Sequence, residues 1–249
     1  ARYNSTGGDG WTDNSGWKAP PLHTDGFALP GSEDTWFGIT VTSGYVTMID
    51  LNNNNLVGSI CPEIGNLTNL HYLSLVGNQL SGSIPSEFGN LNNLNTLNLY
   101  YNQLTGNIPP EMGSLSSLQS LEIHFNQLTG GIPSELGNLG NLEKLSLYFN
   151  RLTGNIPSEL GNLGNLRFLY LHRNQFDGSI PSTIGNLTKL NTLHLCYNKL
   201  SGSIPSNLSN LTDLWINDTQ IDYNALYTND SILIAFLDSK DPDWAETHT

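Results

Sequence analysis

The sequence predicts an α/β solenoid: a right-handed superhelix of about eight coils, with a parallel sheet on its concave side and a cap at each end. Three observations carry that reading. First, Asn54, Asn78, Asn102, Asn126, Asn150, Asn174 and Asn198 follow one another at intervals of 24 residues, and Asn224 returns after 26. Second, each Asn sits in the frame L-x-L-x-x-N-x-L-x-G-x-I-P, as in Leu97, Leu99, Asn102, Leu104, Gly106, Ile108 and Pro109. Third, both ends of the chain break the period. The expected organisation is an N-terminal cap over 1–45, repeats over 46–227 and a C-terminal cap over 228–249.

The elements follow in chain order. The N-terminal cap holds Trp11, Trp17 and Trp36, three of the five Trp. In each repeat the two Leu of L-x-L stand two residues apart, so both point to one face of a short strand. Gly and Pro then bend the chain back. One coil cannot bury its Leu face alone, whereas stacked coils share a continuous core. The repeated Asn is expected to satisfy backbone groups in the tight turn and in the next coil. Glu63, Glu87, Glu111, Glu135 and Glu159 also repeat at 24 residues and are expected to form a solvated convex edge. At the far end, Asn229 or Asp230 is placed to cap a helix that begins at Ser231, Pro242 to stop it and Trp244 to fold back over the last coil.

The frame continues into a second half, S-E-x-G-N-L-x-x-L, as in 134–142. Together they resemble the leucine-rich repeat family in its plant-type, 24-residue form, over roughly residues 46–227. Receptor-kinase ectodomains and polygalacturonase inhibitors carry the same L-x-G-x-I-P signature. The run Gly7-Gly8-Asp9-Gly10-Trp11 and the run Trp36-Phe37-Gly38-Ile39-Thr40 resemble the N-terminal cap of extracellular members. Plant members flank that W-x-G motif with a Cys pair. Here Asp34 or Thr35, and Val41, stand in those places, so the cap disulfide is absent and a bacterial or protist member is expected. The resemblance also implies a helix ahead of the cap, expected to be cut short at Ala1. It further implies a secreted or cell-surface location, and binding through the concave face and its flank.

Composition narrows the partners. Of 249 residues only 12% are charged, against about 25% in an average globular chain. Acids outnumber Lys and Arg 22 to 9, for a net charge of −13. Phosphate binding needs clustered cations, so nucleic acid is excluded as partner, and an anionic membrane surface is disfavoured. No apolar run reaches the roughly 18–20 residues of a spanning helix. The acidity lies mostly towards the ends: residues 51–200 hold 8 acids and 6 bases, and 201–249 hold 8 acids and one base, Lys240. No signal peptide is seen, and a chain that opens at Ala1 is expected to have lost a leader or to be an excised piece. Cys61 and Cys196 lie between five and six coils apart, roughly 27 Å at strand spacing, too far for a disulfide. N-x-S/T triplets at Asn4, Asn66, Asn186, Asn207, Asn210, Asn217 and Asn229 are glycan acceptors if the chain is secreted by a eukaryote.

Candidate binding residues are the positions that vary while the frame stays fixed. On the concave side these are Tyr72, Tyr100, Tyr101, Glu122, His124, Phe125, Lys144, Tyr148, Phe149, Phe168, Tyr170, His172, Arg173, His194 and Tyr197. Tyr offers a rigid contact area and one hydrogen-bonding tip at low entropic cost, the vocabulary of a recognition surface. Expected here is a non-catalytic recognition module that binds a protein, peptide or glycan, with affinity changing between about pH 5.5 and 7.5 if His124, His172 and His194 contact the ligand. A bland alternative is that the rings only stack on one another across the strands.

Other chemistries are weaker. His172, His194, Cys196 and Asp222 share a face, but the repeat sets their spacing and no compact zinc motif appears. No G-x-S-x-G, H-E-x-x-H, P-loop or G-x-G-x-x-G is present, so no enzyme activity, cofactor or metal is expected. An alternative function is ice or crystal-surface binding through a lateral column of Ser81, Thr105, Thr129, Thr153 and Ser201, flanked by Ser59, Ser83, Asn107, Asn155, Ser179 and Ser203, which Val57 and Asp177 interrupt. Oligomeric state is left open by the sequence.

Overall fold

The computed structural model describes residues 5–17, 33–242 and 244. The shortened leading helix and the Asn4 sequon fall outside them. Among the described residues nine strands form the concave sheet. It opens with an antiparallel hairpin, Ile39–Thr42 and Tyr45–Asp50, so its first strand lies inside the expected cap. Parallel strands follow, each three residues long except the last: Tyr72–Ser74, Thr96–Asn98, Ser120–Glu122, Lys144–Ser146, Phe168–Tyr170, Thr192–His194 and Thr219–Gln220. The register advances 24 residues per coil, Leu73 to Leu97 to Leu121 to Leu145 to Leu169 to Leu193. Leu193 then pairs with Thr219, so the inserted two residues fall just ahead of the last strand.

The inward Leu of the six three-residue strands is buried; Leu97, Leu121, Leu145 and Leu169 are all 0% exposed. Each such side chain contributes about 1.5–3 kcal/mol. One continuous core runs from Trp11 and Trp17 to Leu233, Leu237 and Trp244. Trp17 packs between the ring of Trp11, edge to face at 5.0 Å, and the tilted ring of Trp36, at 4.7 Å, closing the N-terminal end. At the other end a helix, Ser231–Lys240, starts at Asp230, whose Oδ1 accepts from the Ile232 and Leu233 N–H groups. Trp244 packs back with its Nε1 donating to Asp238.

The convex return uses short 3₁₀ turns of five residues, such as Ser134–Asn138 and Ser158–Asn162. A 24-residue coil leaves no room there for a longer α-helix, and the tighter i→i+3 bond fits. The Glu row stands exposed on these turns, as expected. The Asn row works as a ladder. Asn102 Nδ2 donates to Leu99 O and Tyr100 O in its own turn and to Leu75 O in the preceding coil, while its Oδ1 accepts from Leu80 N–H. The same set recurs at Asn78, Asn126 and Asn174. Among the described residues both cysteines are buried free thiols.

Candidate functional site

Each coil offers the concave side four positions: two on the strand, one just after it, and one immediately before the ladder Asn. The last of these has an unexpected backbone. Tyr101, Phe125, Phe149, Arg173, Tyr197 and Tyr223 all take positive φ, between 49° and 54°. The ladder Asn enforces this by gripping the two carbonyls that precede the turn. Left-handed backbone costs a non-glycine residue about 1–2 kcal/mol.

Stacking offsets that cost. Tyr101, Phe125 and Phe149 stack face to face at 4.4 Å per step. The Arg173 guanidinium lies 4.8 Å from the Phe149 centroid and 4.3 Å from that of Tyr197. Tyr197 stacks on Tyr223 at 4.0 Å. Six rungs thus form one ladder over six coils, with a cation in its middle. Aromatic pairs contribute about 0.5–1.5 kcal/mol each. A second, deeper ladder runs beside it: Tyr100, His124, Tyr148 and His172, at 4.3, 4.2 and 4.4 Å. Rings of the two ladders meet edge to face, as Tyr100 and Tyr101 do at 5.7 Å.

This packing corrects the expectation that the varying positions are all solvent-facing. His124, between Tyr100 and Tyr148, is only 5% exposed, and Ser74, Val76, Ser146, Thr192 and Cys196 are buried too. The outer ladder keeps the exposure, with Tyr101 at 52% and Phe149 and Tyr197 at 38%. Tyr72, Phe168, Tyr170, His172 and His194 are half-buried.

Burial also moves the titrations. Desolvation, helped by Lys144 and His172, lowers the His124 pKa to about 4. Desolvation, helped by His194 and Arg173, does the same to His172. Their Nδ1 atoms are buried with no hydrogen-bond partner to support an imidazolium. His194 is lowered by burial against the opposing pull of Asp218, whose Oδ1 is 3.7 Å away. The expected histidine response between pH 5.5 and 7.5 is therefore displaced downward. Tyr148 is pushed up to about 12, first by desolvation.

Lys144 and Glu122, expected to present charges to a ligand, pair with each other at 2.7 Å. Cys196 is pushed up to about 12, by burial first and then by Asp222, so it is a neutral thiol with its Sγ 3.5 Å from Gln220 Oε1. Burial thus disfavours the thiolate, the form that acts as nucleophile. Among the described residues no three His, Cys, Asp or Glu groups are placed to hold a metal ion. The lateral column is exposed at Thr105, Thr129, Thr153 and Ser201, and short parallel strands such as Thr153–Asn155 and Gln175–Asp177 order its backbone. Of the sequons, Asn207 already donates its amide to Ser182 O at 2.6 Å.

Sequence reasoning missed the flank of the last coil. Trp215 is 49% exposed and meets Phe168 edge to face at 5.8 Å, with Ile216 beside it. Its N–H bonds Asn191 O just as Asn191 N–H bonds Arg167 O, so it holds the same row. The 24-residue spacing of Arg167, Asn191 and Trp215 is the signal that finds it; the two-residue insertion that follows hides it.

Comparison with known proteins gives concordant findings. A model of the leucine-rich repeat region matches residues 45–177, and a single leucine-rich repeat model matches 189–211. A 42-residue stretch, 16% of this chain, is 48% identical to Leucine-rich repeat protein 2 of Arabidopsis thaliana and covers 19% of that protein. Among solved structures, the ectodomain of the Arabidopsis thaliana membrane receptor kinase GASSHO1/SCHENGEN3, in complex with Casparian strip integrity factor 2, superposes with a TM-score of 0.76 at 39% identity. That match covers 83% of this chain and 25% of the other. The Arabidopsis receptor kinase HAESA ectodomain, in complex with an extended IDA peptide hormone, gives 0.74 at 36% identity, over 84% of this chain and 36% of the other. The chain thus spans about a fifth of its curated relatives and about a third or less of these receptor chains.

Proposed function

Since this chain belongs to the leucine-rich repeat family, we propose that it is a non-catalytic, extracellular recognition module that binds an extended peptide along its concave face. The observation that carries this reading is the outer ladder. Its interior ring faces are covered by neighbouring rungs, leaving electropositive ring edges, Tyr hydroxyls and Arg173 to meet a ligand. A sugar ring stacks best on a free aromatic face, which an interior rung lacks. Peptide carbonyls suit ring edges and phenol donors. The two receptor ectodomains similar to this chain were solved with a peptide hormone and with a named factor bound, which supports the same reading.

The test is a paired capture on a peptide array and a glycan array. One bait is the unaltered chain. The other carries Tyr101→Asn, Phe149→Asn and Tyr197→Asn, because Asn tolerates positive φ and already stands in this register at Asn53. Peptides held only by the first bait support the proposal. Equal capture by both baits, or capture of glycans alone, overturns it.

A further inference from the structure

The outer ladder stops one rung short. Twenty-four residues before Tyr101 stands Gly77, which has no side chain to stack. Its backbone is nevertheless that of a rung. It takes φ +67° and its N–H bonds Tyr100 O, as the Phe125 N–H bonds Tyr148 O. A Cβ added to Gly77 would lie 2.1 Å from Asn53 Oδ1, so the Asn53 amide rests on this glycine and sets an acceptor at the base of the open rung. Tyr101 is the most exposed ring of the ladder, and its ring neighbours are Tyr100, His124 and Phe125, none of them from the Gly77 side.

We propose that this open rung takes the guanidinium group of an arginine carried by a peptide partner, stacked on the free face of Tyr101. The inference rests on the concave face being a peptide site. Two observations choose the cation. The ladder itself already accepts a guanidinium plane as a rung, Arg173 between Phe149 and Tyr197. The near-neutral charge of the repeats also hides an asymmetry. Residues 51–143 hold six acids and no Lys or Arg, with Glu63, Glu87, Glu111 and Glu135 on the convex turns and Glu122 paired with Lys144, whereas 144–200 hold two acids and all six bases of the repeats. Asp50, whose register partner is Ser74, adds a carboxylate on the concave side of the first coil. A cation is therefore drawn to the N-terminal coils, where the rung is open. Arginine rather than lysine fits because its plane stacks while its N–H groups reach an acceptor such as Asn53 Oδ1.

The experiment follows the ring resonances of ¹³C-labelled tyrosine while N-acetyl-arginine amide is titrated. Tyr101 is expected to shift, and N-acetyl-citrulline amide, planar but uncharged, is expected to bind about threefold or more weakly. Two variants locate the site. Tyr101→Asn removes the stacking face. Gly77→Arg with Asn53→Gly fills the rung with the chain's own guanidinium, in a backbone that Arg173 already adopts in this register. Both are expected to abolish the arginine response. A silent Tyr101, an equal response to citrulline, or an undiminished response in the filled variant overturns the assignment. The peptide array separates this from the broader reading. Peptides captured equally by the native and rung-filled chains overturn the arginine rung and leave concave recognition standing. An arginine response with no captured peptide leaves the rung standing and overturns peptide recognition.

Discussion

At the scale of single residues, a few polar side chains carry more than their size. Asn126 Nδ2 donates to Leu99 O, Ile123 O and His124 O, and its Oδ1 accepts from Leu104 N–H. Replacing it with Ala leaves buried backbone groups of two coils unpaired. Asn126→Ala is expected to lower stability by about 3 kcal/mol in urea unfolding, and a loss under about 0.5 kcal/mol would mean that the amide holds nothing. The stacked histidines give a pH signature. Their folded pKa, about 4, lies below the ordinary value of 6.5, so the unfolded chain binds more protons in between. Stability is therefore full above pH 6.5 and declines as the pH falls towards 4. The His124→Phe, His172→Phe double variant keeps the rings and should flatten that part of a thermal-unfolding profile; an unchanged slope would show that the decline arises elsewhere. The Asn role was legible in the sequence because the side chain serves its own turn and its copy one period away. The histidine state was not, because what desolvates His124 is the pair of rings on either side of it.

At the scale of the element, the coil is set by how closely its return segments approach. A Cβ on Gly137 would lie 2.4 Å from Glu159 O of the next coil, while one on Gly140 would meet nothing within 4 Å. Three residues apart, the two glycines make a matched pair. Gly137→Ala is expected to cost about 1–3 kcal/mol through overpacking. Gly140→Ala is expected to be neutral, or stabilising by up to about 1 kcal/mol through the unfolded chain. Equal effects in chemical denaturation would refute a spacing limit at Gly137. The strands, turns and bends were legible from L-x-L, the ladder Asn and the Gly and Pro spacing. The positive φ of six large residues was not, because Tyr, Phe and Arg carry no local preference for it and only the ladder Asn with stacked neighbours holds them there.

At the scale of the whole molecule, the solenoid is a one-dimensional stack whose ends must be closed. Leu233 and Leu237 of the last helix are buried against the final coil. Leu237→Ala is expected to cost about 2–5 kcal/mol and to open the C-terminal coils first, which amide hydrogen exchange over residues 211–227 would register. Uniform loss of protection along the chain would instead indicate a single cooperative unit. The sequence by itself determined the period, the number of coils, the buried Leu columns and the Asn ladder. Each depends on a residue and its translated copy, and a copy in sequence is a neighbour in space. Tertiary structure alone decided which variable side chains meet solvent. It sandwiched His124, paired Lys144 with Glu122, buried Cys196 and left Tyr101 with one open face, because each outcome depends on which different side chains stand one coil away.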